Sequence, residues 1–292
     1  MRVSKSLALT WLSILAAAVT LTARQSPLGE AQQVADGVLL YRINDPALLE
    51  PRGPVSVQAL RLDPRKVQLE IVPGGGGKPQ RETVPAIAAR QPDAIAAVNA
   101  GFFSMETGIP TDLLKVDGTI ISGTKRARGA VGILDRNGVT ELLFDRLRVA
   151  TSGRPAYEPL LGTRPADWAE AEDAVGGAGL LLLDGRELTD WTEERFVAGF
   201  DTTRHPRTLI GVGGDGAIWL VTVDGRNPLL SLGMSFTELQ RLSRRLGLRS
   251  ALNLDGGGST TMWVDGQVVN RPTDAQGLRP VSEAIVVLPR VD

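Results

Sequence analysis

The stretch RTLIGVGGDGAIWLVTVDG, residues 207–225, decides the fold of this chain. Its two apolar runs, Thr208 to Val212 and Ala217 to Val223, flank the turn dipeptide Asp215-Gly216. Asp-Gly between apolar runs is a strong hairpin signal, because both residues tolerate the left-handed backbone of a tight turn. The stretch therefore predicts two neighbouring strands, the second of which ends at Asp224.

Short strand-like runs separated by turn signals continue on both sides of this hairpin. Further turn dipeptides of the same kind lie at Asp117-Gly118, Asn137-Gly138, Asp184-Gly185 and Asp265-Gly266. Val67 to Val72 alternates apolar and polar residues, the period of a half-buried strand. Ala94 to Val98 and Ala251 to Leu254 are short apolar runs that predict buried strands, and Glu283 to Leu288 predicts the last strand.

Helical patterns are few and scattered. Ser235 and Glu238 form a capping-box pattern, and the apolar residues that follow keep helical spacing until Gly247. Shorter helical patterns cover Thr83 to Arg90 and Ala166 to Ala174. The sequence predicts an α+β fold, with mainly mixed or antiparallel sheet, a few packed helices and a single catalytic domain.

The N-terminus has the composition of an export signal. Arg2 and Lys5 precede an apolar run from Leu7 to about Thr22. The run is shorter than the ~20 residues that a spanning helix needs, which favours a cleaved signal peptide over residues 1–24 rather than an uncleaved anchor. A polar linker is then predicted over 25–35, and an exported domain, periplasmic or secreted, over 36–292.

Composition narrows the possible chemistry. The chain has no cysteine and its single histidine is His205, so thiolate nucleophiles and zinc sites built on two or more histidines cannot form within it. A net charge of −1 gives no electrostatic reason to expect nucleic acid or an anionic membrane as a partner. We expect no cofactor and no catalytic metal; a loop could hold a structural calcium ion, although none has EF-hand spacing.

The strongest candidate site is NLDGGGSTT, residues 253–261. A strand-like run delivers the carboxylate of Asp255, and Ser259 supplies a hydroxyl. Between them lie Gly256, Gly257 and Gly258. Because glycine loses the most conformational freedom on folding, such a run indicates a backbone that approaches a ligand closely, or amides that converge on an anion. A tight turn capped by the aspartate is the structural alternative.

Two other segments carry candidate substrate-binding residues. In the stretch 99–103 (NAGFF), the Asn99 amide, Gly101 and the Phe102 ring follow a predicted strand, which suits a sugar pocket. A loop anchored in the core by two phenylalanines explains the same stretch equally well. Arg207 has the planar guanidinium that binds phosphate in a bidentate manner.

Two further carboxylates are candidates for catalysis. Asp224 ends an apolar strand as Asp255 does, although a hairpin turn explains the Asp224-Gly225-Arg226 stretch without chemistry. Glu238 is a candidate acid, and its position in the capping box explains it equally well.

These motifs, in this order, resemble those of the phosphodiester glycosidase family, and the resemblance covers residues 95–289. The matching residues are Asn99 to Phe103, Gly176 to Leu183, Arg207, Thr208, Gly211, Asp224, Gly225, Gly233, Glu238, Asn253 to Ser259, Arg279, Val281 and Ser282. The resemblance implies an exported hydrolase that cleaves a sugar-1-phosphodiester at the anomeric carbon. The products would be a free sugar and a phosphomonoester.

The resemblance also implies roles for the candidate residues. Asp255 and Asp224 would be the nucleophile and the acid/base. Arg207 and Arg279, with the amides of the three glycines, would bind the phosphate, and Asn99 and Ser259 would orient oxygen atoms. Two alternatives stay open: a metal-dependent phosphodiesterase that cuts the phosphorus–oxygen bond, and a non-catalytic glycan-binding protein of the cell envelope.

Overall fold

The computed structural model describes residues 28–77, 80–151 and 156–290. The predicted signal peptide, residues 1–24, lies outside the described residues. In the part of the chain that the structure describes, no helix is long and apolar enough to cross a membrane.

β-strand is the main secondary structure of the described residues. The strands are β1 (Ala31–Ala35), β2 (Val38–Ile43), β3 (Val57–Leu62), β4 (Val67–Pro73), β5 (Ala96–Asn99), β6 (Leu114–Val116), β7 (Thr119–Ser122), β8 (Thr124–Arg136), β9 (Val139–Ala150), β10 (Ala156–Pro159), β11 (Asp173–Gly176), β12 (Leu180–Leu183), β13 (Arg186–Glu187), β14 (Arg207–Gly213), β15 (Ile218–Val223), β16 (Leu248–Asn253), β17 (Met262–Val264), β18 (Gln267–Val268) and β19 (Glu283–Pro289). The α-helices are α1 (Val84–Ala88), α2 (Pro165–Glu170) and α3 (Phe236–Arg245).

The strands form three sheets. The eight-stranded sheet has the order β1-β2-β3-β15-β14-β16-β12-β13, the six-stranded sheet β10-β9-β8-β11-β6-β7, and the five-stranded sheet β18-β17-β5-β19-β4. Every strand pairing among the described residues is antiparallel. The predicted antiparallel sheet with a few packed helices is confirmed, and the fold is β-rich rather than α+β.

The predicted turns explain why the sheets are antiparallel. Asp117, Asn137, Asp184 and Asp265 all have φ between 45° and 53°, as tight hairpin turns require. A hairpin joins antiparallel neighbours with a few residues, whereas a parallel pair needs a long crossover connection. The predicted hairpin at 207–225 is confirmed, with Thr208 opposite Thr222 on β14 and β15.

The structure differs from the sequence prediction in two short stretches. Ala31–Ala35, within the predicted linker, forms β1 and pairs with β2. It is an edge strand with mostly exposed side chains, so its composition is as polar as that of a linker. The helix predicted to reach Ala174 ends at Glu170, and β11 begins at Asp173.

The three sheets enclose one shared core. It includes Leu60 and Leu220 of the eight-stranded sheet, Val131 of the six-stranded sheet, and Val98 and Ile285 of the five-stranded sheet. Each helix covers an outer face: α3 packs on the eight-stranded sheet, α1 on the five-stranded sheet and α2 on the six-stranded sheet. Packing on both faces holds the ends of β5, β14 and β16 in fixed positions.

We expect Leu220→Ala to lower the free energy of unfolding by about 2–5 kcal/mol, because it leaves a cavity in the shared core. Leu229→Ala is the matched control, since Leu229 is 86% exposed and its truncation costs about 0.5 kcal/mol or less. Chemical denaturation measures both changes. Equal losses in the two variants would contradict this assignment of the core.

Candidate active site

Asn99 joins the end of β5 to the start of β14 and to residues 255–261, hereafter the glycine loop. Asn99, at the end of β5, is fully buried. Its Nδ2 donates to the backbone oxygen of Asp255 at 2.7 Å, and its Oδ1 accepts from Thr208 Oγ1 at 2.7 Å and from the Thr261 N–H at 3.1 Å. The predicted role of Asn99 as a sugar ligand is therefore corrected: its side chain links the five-stranded sheet, the eight-stranded sheet and the glycine loop.

Asp255 lies at the start of this loop and is partly exposed. Its N–H donates to the Ala100 carbonyl at 2.9 Å, and its Oδ1 accepts from the Gly256 N–H at 2.8 Å. Burial of the carboxyl group raises the pKa of Asp255 to about 6, against the opposing effects of Ser259, the Gly256 N–H and the charge of Arg279. A carboxylate whose pKa is raised by its surroundings is a candidate nucleophile or base.

Glu283 is a second carboxylate at this point, which the sequence analysis missed. It is 1% exposed, and its Oε1 accepts from the Gly101 N–H at 2.9 Å. Burial raises the pKa of Glu283 to about 7, and the charge of Asp255 adds to the increase, while Ser282 and the Gly101 N–H oppose it. The sequence contained an indication of this role. Glu283 is the acidic residue that begins the apolar strand EAIVVL, directly after Val281 and Ser282, which are among the residues that resemble the family.

Gly101 is required because there is no room for a side chain. A Cβ atom there would lie 2.5 Å from Glu283 Oε1 and 2.8 Å from Val175 Cγ2. The neighbouring Phe102 is half-buried, and its ring meets that of Phe200 edge-on at 6.1 Å between centroids. Phe102 thus remains a candidate wall for a sugar ring.

The glycine loop makes room for two arginines. A Cβ atom at Gly257 would lie 2.9 Å from Arg226 Nη2, and one at Gly258 would collide with the guanidinium group of Arg279. A Cβ atom at Gly256 would lie 2.6 Å from the Pro206 carbonyl oxygen. Side chains at these positions would displace either the arginines or the backbone of the neighbouring segment.

The amides of this loop are used differently from the prediction. The Gly256 N–H donates to its neighbour's carboxylate, and the Gly257 N–H donates to the Pro206 carbonyl at 2.9 Å. Two of the three amides proposed for an anion are therefore engaged within the protein. The positive charge at the loop comes from side chains instead.

Arg279 and Arg226 provide that charge. Arg279 Nε donates to Asp274 Oδ2 at 2.6 Å, and its Nη1 donates to Ser259 Oγ at 3.4 Å, which orients the guanidinium group against the loop. Arg226 is exposed, and its Nη2 lies close to Gly257. Guanidinium groups against two residues of the loop that begins at Asp255 suit a phosphate group attached to a reacting sugar.

His205 borders the same region and is half-buried. Burial lowers the pKa of its imidazole, and the charges of Arg207 and Arg226 lower it further. The side chain is therefore biased towards its neutral form.

Arg207 does not face this site. Its guanidinium group is 1% exposed and donates to the carbonyls of Met234 (2.9 Å), Phe200 (2.7 Å) and Thr203 (2.9 Å). It also stacks against the rings of Phe200 and Phe236, each 4.9 Å from its central carbon. Burial lowers the pKa of Arg207 to about 10. The prediction of a phosphate ligand is corrected: Arg207 is an internal support for the segment that precedes β14.

Asp224 is likewise buried, at the end of β15. Its Oδ1 accepts from the Arg271 N–H at 2.8 Å and from Asn270 Nδ2 at 3.2 Å, and its Oδ2 accepts from Gln58 Nε2 at 3.4 Å. Asn270 Nδ2 also donates to the Thr260 carbonyl at 3.0 Å. Asp224 thus reaches the glycine loop through Asn270, and its contacts favour a supporting role over the predicted catalytic one.

Glu238 forms the capping box that the sequence predicts, since it accepts from the Ser235 N–H at 3.0 Å while its own N–H donates to Ser235 Oγ. It also accepts from Arg204 and from the Glu50 N–H. Burial disfavours its charge, but these hydrogen bonds prevail and hold the pKa of Glu238 below its usual value. Glu238 is therefore a structural anion, and its predicted catalytic role is corrected.

Several buried polar atoms beside the glycine loop lack a hydrogen-bond partner. They are Asn253 Oδ1, Thr260 Oγ1, Thr261 Oγ1 and Glu283 Oε2. Unpaired buried polar atoms are costly and infrequent, so a cluster of them indicates a place for water or a polar ligand. Within residues 28–77, 80–151 and 156–290, no three acidic or histidine side chains are grouped to hold a metal ion.

Similar proteins share this architecture. A hypothetical protein from Synechocystis aligns with a TM-score of 0.74 at 21% identity, covering 89% of this chain and 64% of that one. The catalytic domain of zebrafish N-acetylglucosamine-1-phosphodiester alpha-N-acetylglucosaminidase, auto-inhibited by its pro-peptide, aligns with a TM-score of 0.64 at 21% identity, covering 91% and 85%. The β-rich fold is thus shared with solved structures.

Sequence comparison identifies the family. The phosphodiester glycosidase family model matches residues 92–288, and the chain therefore belongs to that family. The bovine N-acetylglucosamine-1-phosphodiester alpha-N-acetylglucosaminidase is 27% identical over 213 residues. The match covers 69% of this chain but 37% of the bovine protein, so this chain corresponds to well under half of that relative's length.

A stability measurement distinguishes the buried Arg207 from the exposed Arg226. We expect Arg207→Gln to lower the free energy of unfolding by about 3 kcal/mol, because buried carbonyl acceptors lose their donor and the ring contacts are lost. Arg226→Gln, at an exposed position, should change it by about 0.5 kcal/mol or less. Denaturant titration of both variants measures the difference. A small effect at Arg207 would refute its role as an internal support.

Proposed function

We propose that this protein hydrolyses the glycosidic bond of a sugar-1-phosphodiester and releases a free sugar and a phosphomonoester. The observation that carries the proposal is the Asp255 carboxyl group at the start of the glycine loop, with Arg279 acting on its charge and the guanidinium groups of Arg226 and Arg279 lying against Gly257 and Gly258. Membership of the phosphodiester glycosidase family supports the reaction class.

Asp255 is the carboxylate that acts at the anomeric carbon. With a pKa of about 6, it is largely ionised at neutral pH and more basic than an ordinary aspartate. The bond between C1 and the phosphate oxygen breaks, water supplies the hydroxyl group of the released sugar, and the phosphate leaves with the rest of the molecule. Glycosidases use carboxylates for this work because the transition state carries positive charge on the sugar ring.

Arg279 and Arg226 hold the phosphate. A phosphate is a good leaving group, so stabilising its charge matters more than protonating it. The ion pair with Asp274 and the contact with Ser259 keep Arg279 oriented before substrate arrives. Ser259 therefore assists the phosphate site through Arg279, and the half-buried Phe102 ring supplies a flat apolar face for the sugar.

The proposal includes export of the protein. It rests on Arg2, Lys5 and the apolar run from Leu7 to about Thr22 at the N-terminus. The bovine relative's name describes an enzyme that acts on N-acetylglucosamine-1-phosphodiester, and this is the first substrate to offer.

We expect the protein to release N-acetylglucosamine and a phosphomonoester from such a substrate, and Asp255→Asn to lower kcat/KM at least about 10³-fold, as loss of a catalytic carboxylate does. Chromatographic detection of both products measures the reaction. Asp265→Asn, a conservative change in an exposed hairpin turn, is the matched control and should leave activity unchanged.

Other outcomes would point to the alternative functions. A sugar that stays phosphorylated, with activity lost in EDTA, would identify a metal-dependent phosphodiesterase. Tight sugar binding without turnover across a panel of sugar phosphodiesters would identify a glycan-binding protein.

The phosphate site can be tested separately. Arg279→Gln and Arg226→Gln should each lower kcat/KM for the phosphodiester about 10- to 100-fold, since each removes charge-assisted hydrogen bonds worth about 1.5–3 kcal/mol. Arg186→Gln, exposed on β13, serves as control. Full activity in both loop variants would refute the proposed phosphate site.

A further inference from the structure

Asp255 and Glu283 each form a hydrogen bond with the segment that follows β5, at the consecutive residues Ala100 and Gly101. The Asp255 N–H donates to the Ala100 carbonyl, and Glu283 Oε1 accepts from the Gly101 N–H. β19 pairs with β5 so that Ala284 lies opposite Asn99, which fixes Glu283 beside this segment. The backbone of Asp255 and the side chain of Glu283 are therefore anchored to neighbouring residues of one segment.

The surroundings of Glu283 contain little positive charge. Gly101 on the segment after β5 and Val175 on β11 bring no charge to it. The glycine loop brings Asp255, and Ser282 of its own chain segment brings a hydroxyl. Arg279, in the loop before β19, acts on Asp255 and is already paired with Asp274.

The acidic residue near Gly176 is already paired with an arginine as well. Asp112 packs against Gly176, at the end of β11, and forms an ion pair with Arg126 at 2.9 Å. Burial and the charge of Asp255 both raise the pKa of Glu283, to about 7. A buried carboxyl group ionises at a cost, and a neighbouring negative charge adds to that cost.

We propose that Glu283 is a positioning residue that holds its proton up to about neutral pH, so that Glu283 and Asp255 together carry a single negative charge there, located on Asp255. Oε1 of Glu283 is committed as an acceptor to the Gly101 N–H, so the proton lies on Oε2. The carboxylic acid is then a neutral donor within the site.

The catalytic part of this inference rests on the proposed function. A phosphodiester substrate is an anion, and a doubly charged carboxylate pair would repel it. A protonated Glu283 removes one of these charges while leaving Asp255 ionised for reaction at the anomeric carbon. Substrate binding, rather than the chemical step, should therefore weaken as Glu283 loses its proton at higher pH.

The protonation state can be measured without any substrate. Infrared titration of the protein should reveal a carboxylic acid C=O band that disappears with a midpoint near pH 7. The band should be absent in Glu283→Gln, and its midpoint should fall to lower pH in Asp255→Asn, where the neighbouring charge is gone. Asp173→Asn is the matched control, because Asp173 is a buried carboxyl outside the site, with a pKa raised to about 6 by burial; it should leave the band near pH 7 in place.

Kinetics supply the second test. The wild-type KM should rise about tenfold between pH 6 and pH 8, as one proton leaves a group with a pKa near 7. In Glu283→Gln, which keeps the acceptor for the Gly101 N–H, KM should stay flat over this range while kcat at pH 6 stays within about tenfold of the wild type. A wild-type pH dependence of KM in this variant would overturn the inference.

The two tests separate the inference from the proposed function. If no sugar phosphodiester is turned over, the proposed function fails, and the infrared titration still determines the state of Glu283. An infrared band near pH 7 that persists in Glu283→Gln, or a midpoint unchanged in Asp255→Asn, would overturn the inference even in an active enzyme.

Discussion

The site depends on the three hydrogen bonds of the Asn99 side chain. They tie the end of β5 to Thr208 on β14, to Thr261 and to the backbone of Asp255. Because the amide is fully buried, a partner left unpaired would cost about 1–3 kcal/mol. Two sheets and the glycine loop therefore hold one relative position, and the carboxylate of Asp255 is delivered with them.

Close packing at the glycine loop sets the electrostatics of the site. Gly257 and Gly258 leave the space into which Arg226 and Arg279 fit, and Gly101 leaves the space for Glu283. Arg279 acts on the charge of Asp255, and Asp255 in turn acts on that of Glu283. The same small residues thus bring charges of both signs near Asp255, which is the arrangement that the proposed hydrolysis needs.

Several charged residues around the site act as supports. Arg207 holds three backbone carbonyls, Glu238 caps α3 and binds Arg204, and Asp224 collects Gln58, Asn270 and the Arg271 amide. Each satisfies polar groups that strand ends leave unpaired, since strand pairing stops where the chain turns away. They lie next to the site, which explains why the sequence alone made them candidates for catalysis or substrate binding.

The sequence by itself determined the hairpins, the capping box and the strand that ends at Asp255, because turn dipeptides, caps and apolar periodicity act over a few residues. The tertiary structure alone decided that all strand pairs are antiparallel, that Arg207 is buried and that Glu283 lies beside Asp255. These facts depend on contacts between residues far apart in the chain, such as Gly101 with Glu283. Burial then changes the chemistry of an ordinary glutamate, since the protein interior disfavours its charge and the neighbouring carboxylate adds to that effect.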